Sequence, residues 1–577
     1  MIDDSVLRGL LLCLLVLPGA AGAVAFALGP RRVHAVRWLS LAAAVVTLLL
    51  ALLLAWQLFA RRQVEESPVA APGRVPTFKP EFVPGSTAAD PHATTWDLVP
   101  LGRGTIQFFI GLDGLNVWLV LLTAALMLPS VLVSWEAIRE RANEFYAWLL
   151  LLQTAMIGIF LAFDIILFYA FFELSLVPLF FLIGIWGGSA RRYAAGKFFI
   201  YTLTGSLISL LGIIGIVLVC RGETGGKLIF SIPELVQVVQ DRVGVEGSAL
   251  FGAGAVQMWV FLALMAGFAV KVPLVPLHTW LPLAHTEAPT AGSVDLAGVL
   301  LKVGAYGFLR LCLPLAPDAS LSLGMPLVSA LAAVGIVYGA FCAYSQDDIK
   351  KLIAYSSVSH LGLVMLGMFA LNSVGLHGSL VQMINHGLST GALFLIIGML
   401  YERYHTRKLA DYSGMASRLP VLSAVMVFVC LTSVGLPGLN GFVGEYLVLS
   451  GVMARDMNYL APAYFVVGAS GIILGAWYLF TMLRRVFFGP LKEPVVHGEA
   501  HEPITDLKPR EWMLLAPIAV LCVLIGVYPQ PLIDTSRRDV DAIAEIAVRA
   551  RVRADKAADQ ARAAAAVAER QPEEEQP

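Results

Sequence analysis

The sequence predicts an all-α polytopic membrane protein of about fourteen transmembrane helices, and three observations carry the prediction. Of its 577 residues 58% are hydrophobic and 14% charged, with a mean hydropathy of +0.77, more apolar than a soluble core requires. Uncharged runs recur at a length of about 18–25 residues, enough to cross roughly 30 Å of hydrocarbon. Two of the runs are interrupted by proline and glycine, and such paired breaks mark folds built from two inverted repeats.

Apolar segments fall near 6–29, 36–59, 114–134, 146–163, 165–187, 197–219, 255–277, 291–313, 323–343, 351–371, 376–400, 420–450, 461–483 and 512–530. The first starts from the net-acidic "MIDDSVLRG", so it reads as a retained helix and not as a secretory signal. The run 146–187 divides at Asp164. Helices one to three (1–135) enclose an extramembrane loop at 60–112 rich in Pro and polar residues, without a core of its own. Helices four to eight (146–313) and nine to thirteen (323–484) are the expected five-helix repeats, with helices seven and twelve broken. Helix fourteen (512–532) leads to an Ala/Arg/Glu-rich tail (533–577), a good helix former with too little apolar surface to bury, expected to be solvated or held by a partner.

Short-loop Lys and Arg give the orientation. With the N-terminus outside, the inside loops hold 19 such residues, Lys350 and Lys351 among them, against 10 outside before the tail. Both termini are therefore expected outside, which for a bacterial inner membrane is the periplasm. The net charge of −1 offers no basic face for nucleic acid. The six cysteines are scattered without a CxxC, so neither a disulfide framework nor a zinc or iron–sulfur site is expected, nor any other metal. They read as small buried residues.

Four ionisable residues fall near the middle of predicted spans: Glu173 in "FYAFFELSLVPLFF", Lys271 in "FAVKVPLVPLHTW", Lys302 in "LAGVLLKVGAYGF" and Glu445 in "NGFVGEYLVL". Unpaired, they would together cost on the order of 10 kcal/mol. One reading is structural, with a Glu173–Lys271 ion pair and a Lys302 that snorkels; buried pairs, however, contribute poorly to stability. The other is a proton path, in which a carboxylate near a desolvated lysine governs whether that lysine keeps its proton. Pro273 and Pro276 remove backbone donors beside Lys271, and Pro437 lies in the second break, "VGLPGLNGFVGE". Broken backbone is tolerated at membrane depth only where protein or water satisfies it. His360 in "AYSSVSHLGL" and His386 in "QMINHGLST" are either hydrogen-bonded core residues or relays on a hydrated axis between the halves. His278 and His285 flank "TWLPLA" and either line proton access or cap exposed carbonyls; Asp295 and Tyr306 read as possible supports that bond neighbouring helices. Asp113 in "GLDGLN" reads as the cap of the third helix, and Arg310 as a snorkelling residue near a helix end.

The stretches "FAVKVPLVPLHTWLPLAHTEAPTAGSVDLAGVLLKVGAYGFLR", "QDDIKKLIAYSSVSHLG", "QMINHGLSTGALFLIIGMLYERYHTR" and "GLPGLNGFVGEYLVLSG" resemble the antiporter-like membrane subunits of respiratory complex I, the NADH-quinone oxidoreductase, over about residues 107–530. Glutamate at 445, where sibling chains and Mrp antiporters typically carry lysine, resembles the M branch, whose mitochondrial counterpart is subunit four. The resemblance implies Glu173 and Lys271 as the interacting pair of the first half-channel, Lys302 as the link toward the centre, His360 and His386 on the central axis, and Glu445 as the terminal group. It further implies a proton-translocating subunit without a redox centre, neighbours of the L and N type, and FMN, iron–sulfur clusters and quinone in other subunits. Competing readings are an Mrp-type cation/proton antiporter subunit, an antiporter-like subunit of a membrane-bound hydrogenase, and a structural scaffold.

Overall fold

The computed structural model describes residues 4–64, 95–245, 248–250, 255–454, 461–494 and 504–569. Most of the 60–112 loop and the last eight residues of the tail lie outside them.

Helices dominate because long uncharged runs in a bilayer must satisfy every backbone group internally. The chain opens with α1 (Asp4–Leu28) and α2 (Val33–Val64), then a hairpin of β1 (Thr95–Leu101) and β2 (Gly104–Phe109), antiparallel in register Thr95↔Phe109. The first half follows as α3 (Val117–Ala137), α4 (Ala142–Leu161), α5 (Ile165–Leu174), α6 (Leu176–Trp186), α7 (Arg191–Glu223), α8 (Ile232–Arg242), α9 (Ala255–Lys271), α10 (Leu281–Glu287) and α11 (Thr290–Leu315). The second half comprises α12 (Pro317–Tyr344), α13 (Ile349–Met368), α14 (Ser373–Tyr404), α15 (Pro420–Ser433), α16 (Asn440–Met453), α17 (Ala461–Val486), α18 (Pro509–Val527) and the tail helix α19 (Gln530–Glu569). Among the described residues twelve spans are long and apolar enough to cross a membrane, and Val256–Lys271 and Pro420–Ser433 are shorter apolar helices. These two are the broken spans, each continuing past its break as α10 and α16.

Two elements escape the apolar pattern. The hairpin, in what the sequence presents as a structureless loop, packs back on the chain: Arg8 of α1 stacks 4.3 Å over the Trp96 ring, and Gln107 N donates to Asp164 Oδ2 at 2.9 Å. Asp164 also caps α5, accepting from Ile166 N and Leu167 N. Helix α8 is amphipathic, starts at a Ser231 cap and ties to the end of α11 through Gln240 Nε2 donating to Pro314 O at 3.1 Å.

The tail corrects its expectation. Val540, Ile543, Ile546 and Ala550 recur at helical spacing and are buried against the ends of α11, α12 and α14. Polar contacts reinforce this: Asp539 Oδ2 accepts from Gly114 N at 2.8 Å, and Arg553 Nη2 meets Asp318 Oδ1 at 2.5 Å. From Ala554 to Ala565 the helix is exposed. The cysteines also divide: Cys13 is exposed and Cys342 partly so, the other four are buried.

Candidate functional site

The first break forms at Lys271, the last residue of α9. Pro273 lacks the N–H that would have bonded Ala269 O, and Leu274 N takes its place at 3.0 Å. Trp280 Nε1 closes over Val270 O at 2.9 Å. The carbonyls freed by proline are thus satisfied by protein, which makes the break tolerable at depth. Lys271 is buried; its Nζ donates to Ser175 Oγ at 3.4 Å and lies 4.8 Å from the Phe172 ring centroid. Ser175 sits where α5 passes into α6, and its Oγ donates onward to Phe172 O. No ion pair within 4.0 Å joins Lys271 to Glu173 among the described residues, and Glu173 Oε1 has no hydrogen-bond partner. The expected pair is therefore one of proximity and not of contact: Glu173 is near enough for its charge to act on Lys271, with Ser175 between them in sequence. Helix α11 presses on this site at Gly304, where a Cβ would lie 2.8 Å from Phe268 O and 2.9 Å from Lys271 Cβ.

Lys302 on α11 is fully buried, so it does not snorkel. A π turn at Leu296–Leu300 precedes it, and the Ala297 carbonyl within that turn accepts from Lys302 Nζ. On its other side Nζ lies 2.7 Å from His386 Nδ1 of α14. With the ammonium as donor, Nδ1 is the acceptor and the ring proton sits on Nε2. The His386 and His360 rings are 5.8 Å apart between centroids. His360, on α13, places Nδ1 4.0 Å from Glu445 Oε1 and Nε2 3.3 Å from Tyr478 Oη of α17. Glu445 is buried on α16 just beyond the second break. Gly435 in that break has φ +76°, and a Cβ there would collide with Glu445 Oε2; bare backbone thus covers the carboxyl. Asn385 Nδ2 donates to Asn440 O at 2.6 Å, binding α14 to the restarted helix.

Four residues singled out from the sequence thus fall in one line, Lys302–His386–His360–Glu445, buried except at the partly exposed His360, while Glu173 and Lys271 stand apart from it. The supporting candidates scatter. His285 stacks on Phe394 at 4.7 Å between ring centroids, and neither of its nitrogens bonds to the chain. His278 packs on Tyr338 and Tyr355. Asp295 Oδ1 accepts from Ser130 Oγ at 2.9 Å, while Oδ2 is buried without a partner. Tyr306 donates to Phe160 O and accepts from Arg310.

Three expectations are corrected. Arg310 does not snorkel: it is fully buried, with Nη2 2.6 Å from Asp113 Oδ2. Asp113 is therefore an ion-pair partner as well as the acceptor for Leu115 N and Asn116 N, and Asn116 holds the N-cap position of α3. Lys350, counted among loop cations, is buried and donates to Ala288 O at 2.5 Å. Ser175 and Tyr478 were not legible as site residues, because a lone hydroxyl in an apolar run carries no spacing signal. Among the described residues no three His, Cys, Asp or Glu side chains cluster so as to hold a metal ion.

The family model described as "NADH:quinone oxidoreductase/Mrp antiporter, TM" matches residues 162–472, more than half of the chain and all of the line just described. The chain belongs to this family. The subunit M of the NADH-quinone oxidoreductase of Pseudomonas aeruginosa is 40% identical over 513 residues, 88% of this chain and 92% of that one. The subunit M of Escherichia coli K12 is 39% identical over 453 residues, 78% and 84% of the two chains. A chain of respiratory complex I from Thermus thermophilus, solved with bound NADH, superposes with a TM-score of 0.74 at 28% identity, covering 93% of this chain and 99% of that one. Family membership makes the protein a multi-pass, antiporter-like membrane subunit, and the complex I relatives match it along nearly their whole length.

Proposed function

We propose that the chain is a proton-translocating membrane-arm subunit of an NADH:quinone oxidoreductase, and that Glu173, Lys271, Lys302, His386, His360 and Glu445 carry the proton. The observation that supports this most is the succession of titratable groups from Lys302 Nζ, 2.7 Å from His386 Nδ1, across 5.8 Å between the His386 and His360 ring centroids, to Glu445 Oε1, 4.0 Å from His360 Nδ1; water would have to bridge the gap at His386 Nε2, which has no partner in the chain. Each member can hold or release a proton, and imidazole can accept at one nitrogen while releasing at the other.

A change of charge near Glu173 alters how firmly Lys271 keeps its proton, because no contact ion pair locks the two together. The proton passes by internal water to Lys302. Lys302 Nζ delivers it to His386 Nδ1, His386 Nε2 releases it toward His360, and His360 Nδ1 passes it to Glu445 Oε1, which releases it. Neighbouring membrane chains of the L and N type, inverted repeats of helices four to eight and nine to thirteen, and periplasmic termini belong to the same reading. Redox chemistry belongs to other subunits, with FMN, iron–sulfur clusters and quinone; this chain supplies buried titratable groups.

The test uses the assembled complex in proteoliposomes. Lys302→Ala combined with Glu445→Gln is expected to lower the protons moved per NADH oxidised. A wild-type ratio in an assembled double variant would overturn the assignment. Sodium-dependent proton exchange without NADH would favour the Mrp-type reading instead.

A further inference from the structure

The short helix α10 carries the first broken span onward, and its far end is held from outside. At seven residues it is about 10 Å long, and its last carbonyls have no donor within the helix. Each finds one elsewhere. His285 O accepts from Ser293 Oγ of α11 at 3.0 Å, and Thr286 O from Arg407 Nη1, just past α14, at 2.5 Å. Glu287 O accepts from Gly188 N, in the turn between α6 and α7, at 2.9 Å, and Ala288 O from Lys350 Nζ of α13 at 2.5 Å. The Glu287 side chain adds a contact to that turn, Oε2 accepting from Ala190 N at 2.8 Å.

Two of these donors come from the second half. Lys350 opens α13, which carries His360, and Arg407 follows α14, which carries His386. The two are tied to each other: Arg407 Nε lies 3.4 Å from Asp348 Oδ2, and Ile349 N donates to Arg407 O at 2.9 Å. Lys350 is buried, within reach of the charges of Arg407, Asp348 and Glu287. A helix end favours a cation by about 0.3–1 kcal/mol, whereas taking one out of water costs several kcal/mol. Capping alone does not account for a lysine there.

The near end of α10 is the first break. Trp280, the residue before α10, closes over Val270 O at 2.9 Å, next to Lys271, and packs on Phe198 of α7. A helix of two turns fixed at its far end therefore sets where Trp280 stands, and with it the last turn of α9.

We propose that Lys350 is a positioning residue for the first break: by holding Ala288 it fixes α10, and through Trp280 it fixes Lys271 relative to the helices that carry the two imidazoles. Lys350 carries no proton in this role. The inference rests on the proton-line reading above and adds a tie between the halves.

The test uses the assembled complex in liposomes, with the protons moved per NADH oxidised and amide exchange by mass spectrometry as readouts. Lys350→Met removes the donor. It should lower the ratio severalfold and speed exchange at 285–288 and also through the break at 271–280. Lys350→Arg keeps a donor that cannot release its proton, and should restore most of both. A wild-type ratio in Lys350→Met would overturn the proposal, as would faster exchange confined to 285–288, which is what a local cap requires. Equal impairment of the two variants would also overturn it, because a proton carrier behaves so, and failure of both to assemble would reduce Lys350 to a folding role. Lys302→Ala combined with Glu445→Gln reports on the line alone: pumping lost there beside a wild-type ratio in Lys350→Met would remove this inference and leave the line standing.

Discussion

The two broken helices handle their buried charges in opposite ways. At the first, Lys271 precedes the break and is nearly alone, touching one hydroxyl, Ser175, and one aromatic face, Phe172. At the second, Glu445 follows the break and joins a line that already holds two imidazoles and Lys302, with the Tyr478 phenol beside it. An isolated group has no bypass, whereas a member of a line has neighbours that can carry part of its load. Substitutions should therefore act as all-or-none at the first break and in graded fashion along the second.

The largest effect is expected at the first break. Lys271→Ala and Glu173→Ala should each remove most proton pumping and coupled quinone reduction, with the complex still assembled; activity near wild type in either would erase the contrast. Gly435→Ala comes next, since it drives a methyl group into the Glu445 carboxyl and forces an alanine to φ +76°. Its pumping loss should match or exceed that of Glu445→Gln, and a milder phenotype would show that the carboxyl need not lie under bare backbone. Tyr478→Phe removes one hydrogen bond to His360, worth about 0.5–1.5 kcal/mol. A reduction in rate of several-fold or less is expected, measured as NADH-driven proton uptake, and abolition would make Tyr478 a member of the line and not an accessory.

The smallest effect lies outside the membrane. Burial pushes the Asp164 carboxyl up to about 6, although three backbone N–H groups act to lower it. Its folded value is above the usual carboxylate value of about 3.9, so the protonated form is favoured by folding. The stability it contributes is complete below about pH 4 and is lost as pH rises through 6. Amide exchange at Gln107, whose N–H bonds Asp164, should accelerate between pH 5 and 7 more in the wild type than in Asp164→Asn. Identical profiles would remove Asp164 as the titrating group.

The same contrast explains what the sequence could and could not disclose. The helices were legible because a bilayer demands long apolar runs, and the breaks because Pro273, Pro276, Gly435 and Pro437 stand inside such runs. Intramembrane charge singled out Glu173, Lys271, Lys302 and Glu445, since an unpaired charge at that depth is costly. Where a residue type has two ordinary explanations, the pattern was mute. Arg310 near a helix end reads as a snorkelling cation until Asp113 is brought beside it from before α3. Lys350 reads as a loop charge until Ala288 O receives it. The Ala/Arg tail reads as solvated or held by a partner because its buried stripe is short and rich in alanine. Distances such as the gap between Lys271 and Glu173 are set by helix packing, for example the approach of Gly304 to Phe268 O, which no spacing along the chain encodes.

The most direct test of the account is the ratio of protons translocated to NADH oxidised by the reconstituted complex carrying Lys271→Ala, with assembly verified by co-purification of the partner subunits. The account predicts that pumping and coupled quinone reduction fall together to a small residue of wild type. An assembled variant that pumps with the wild-type ratio and rate would contradict it.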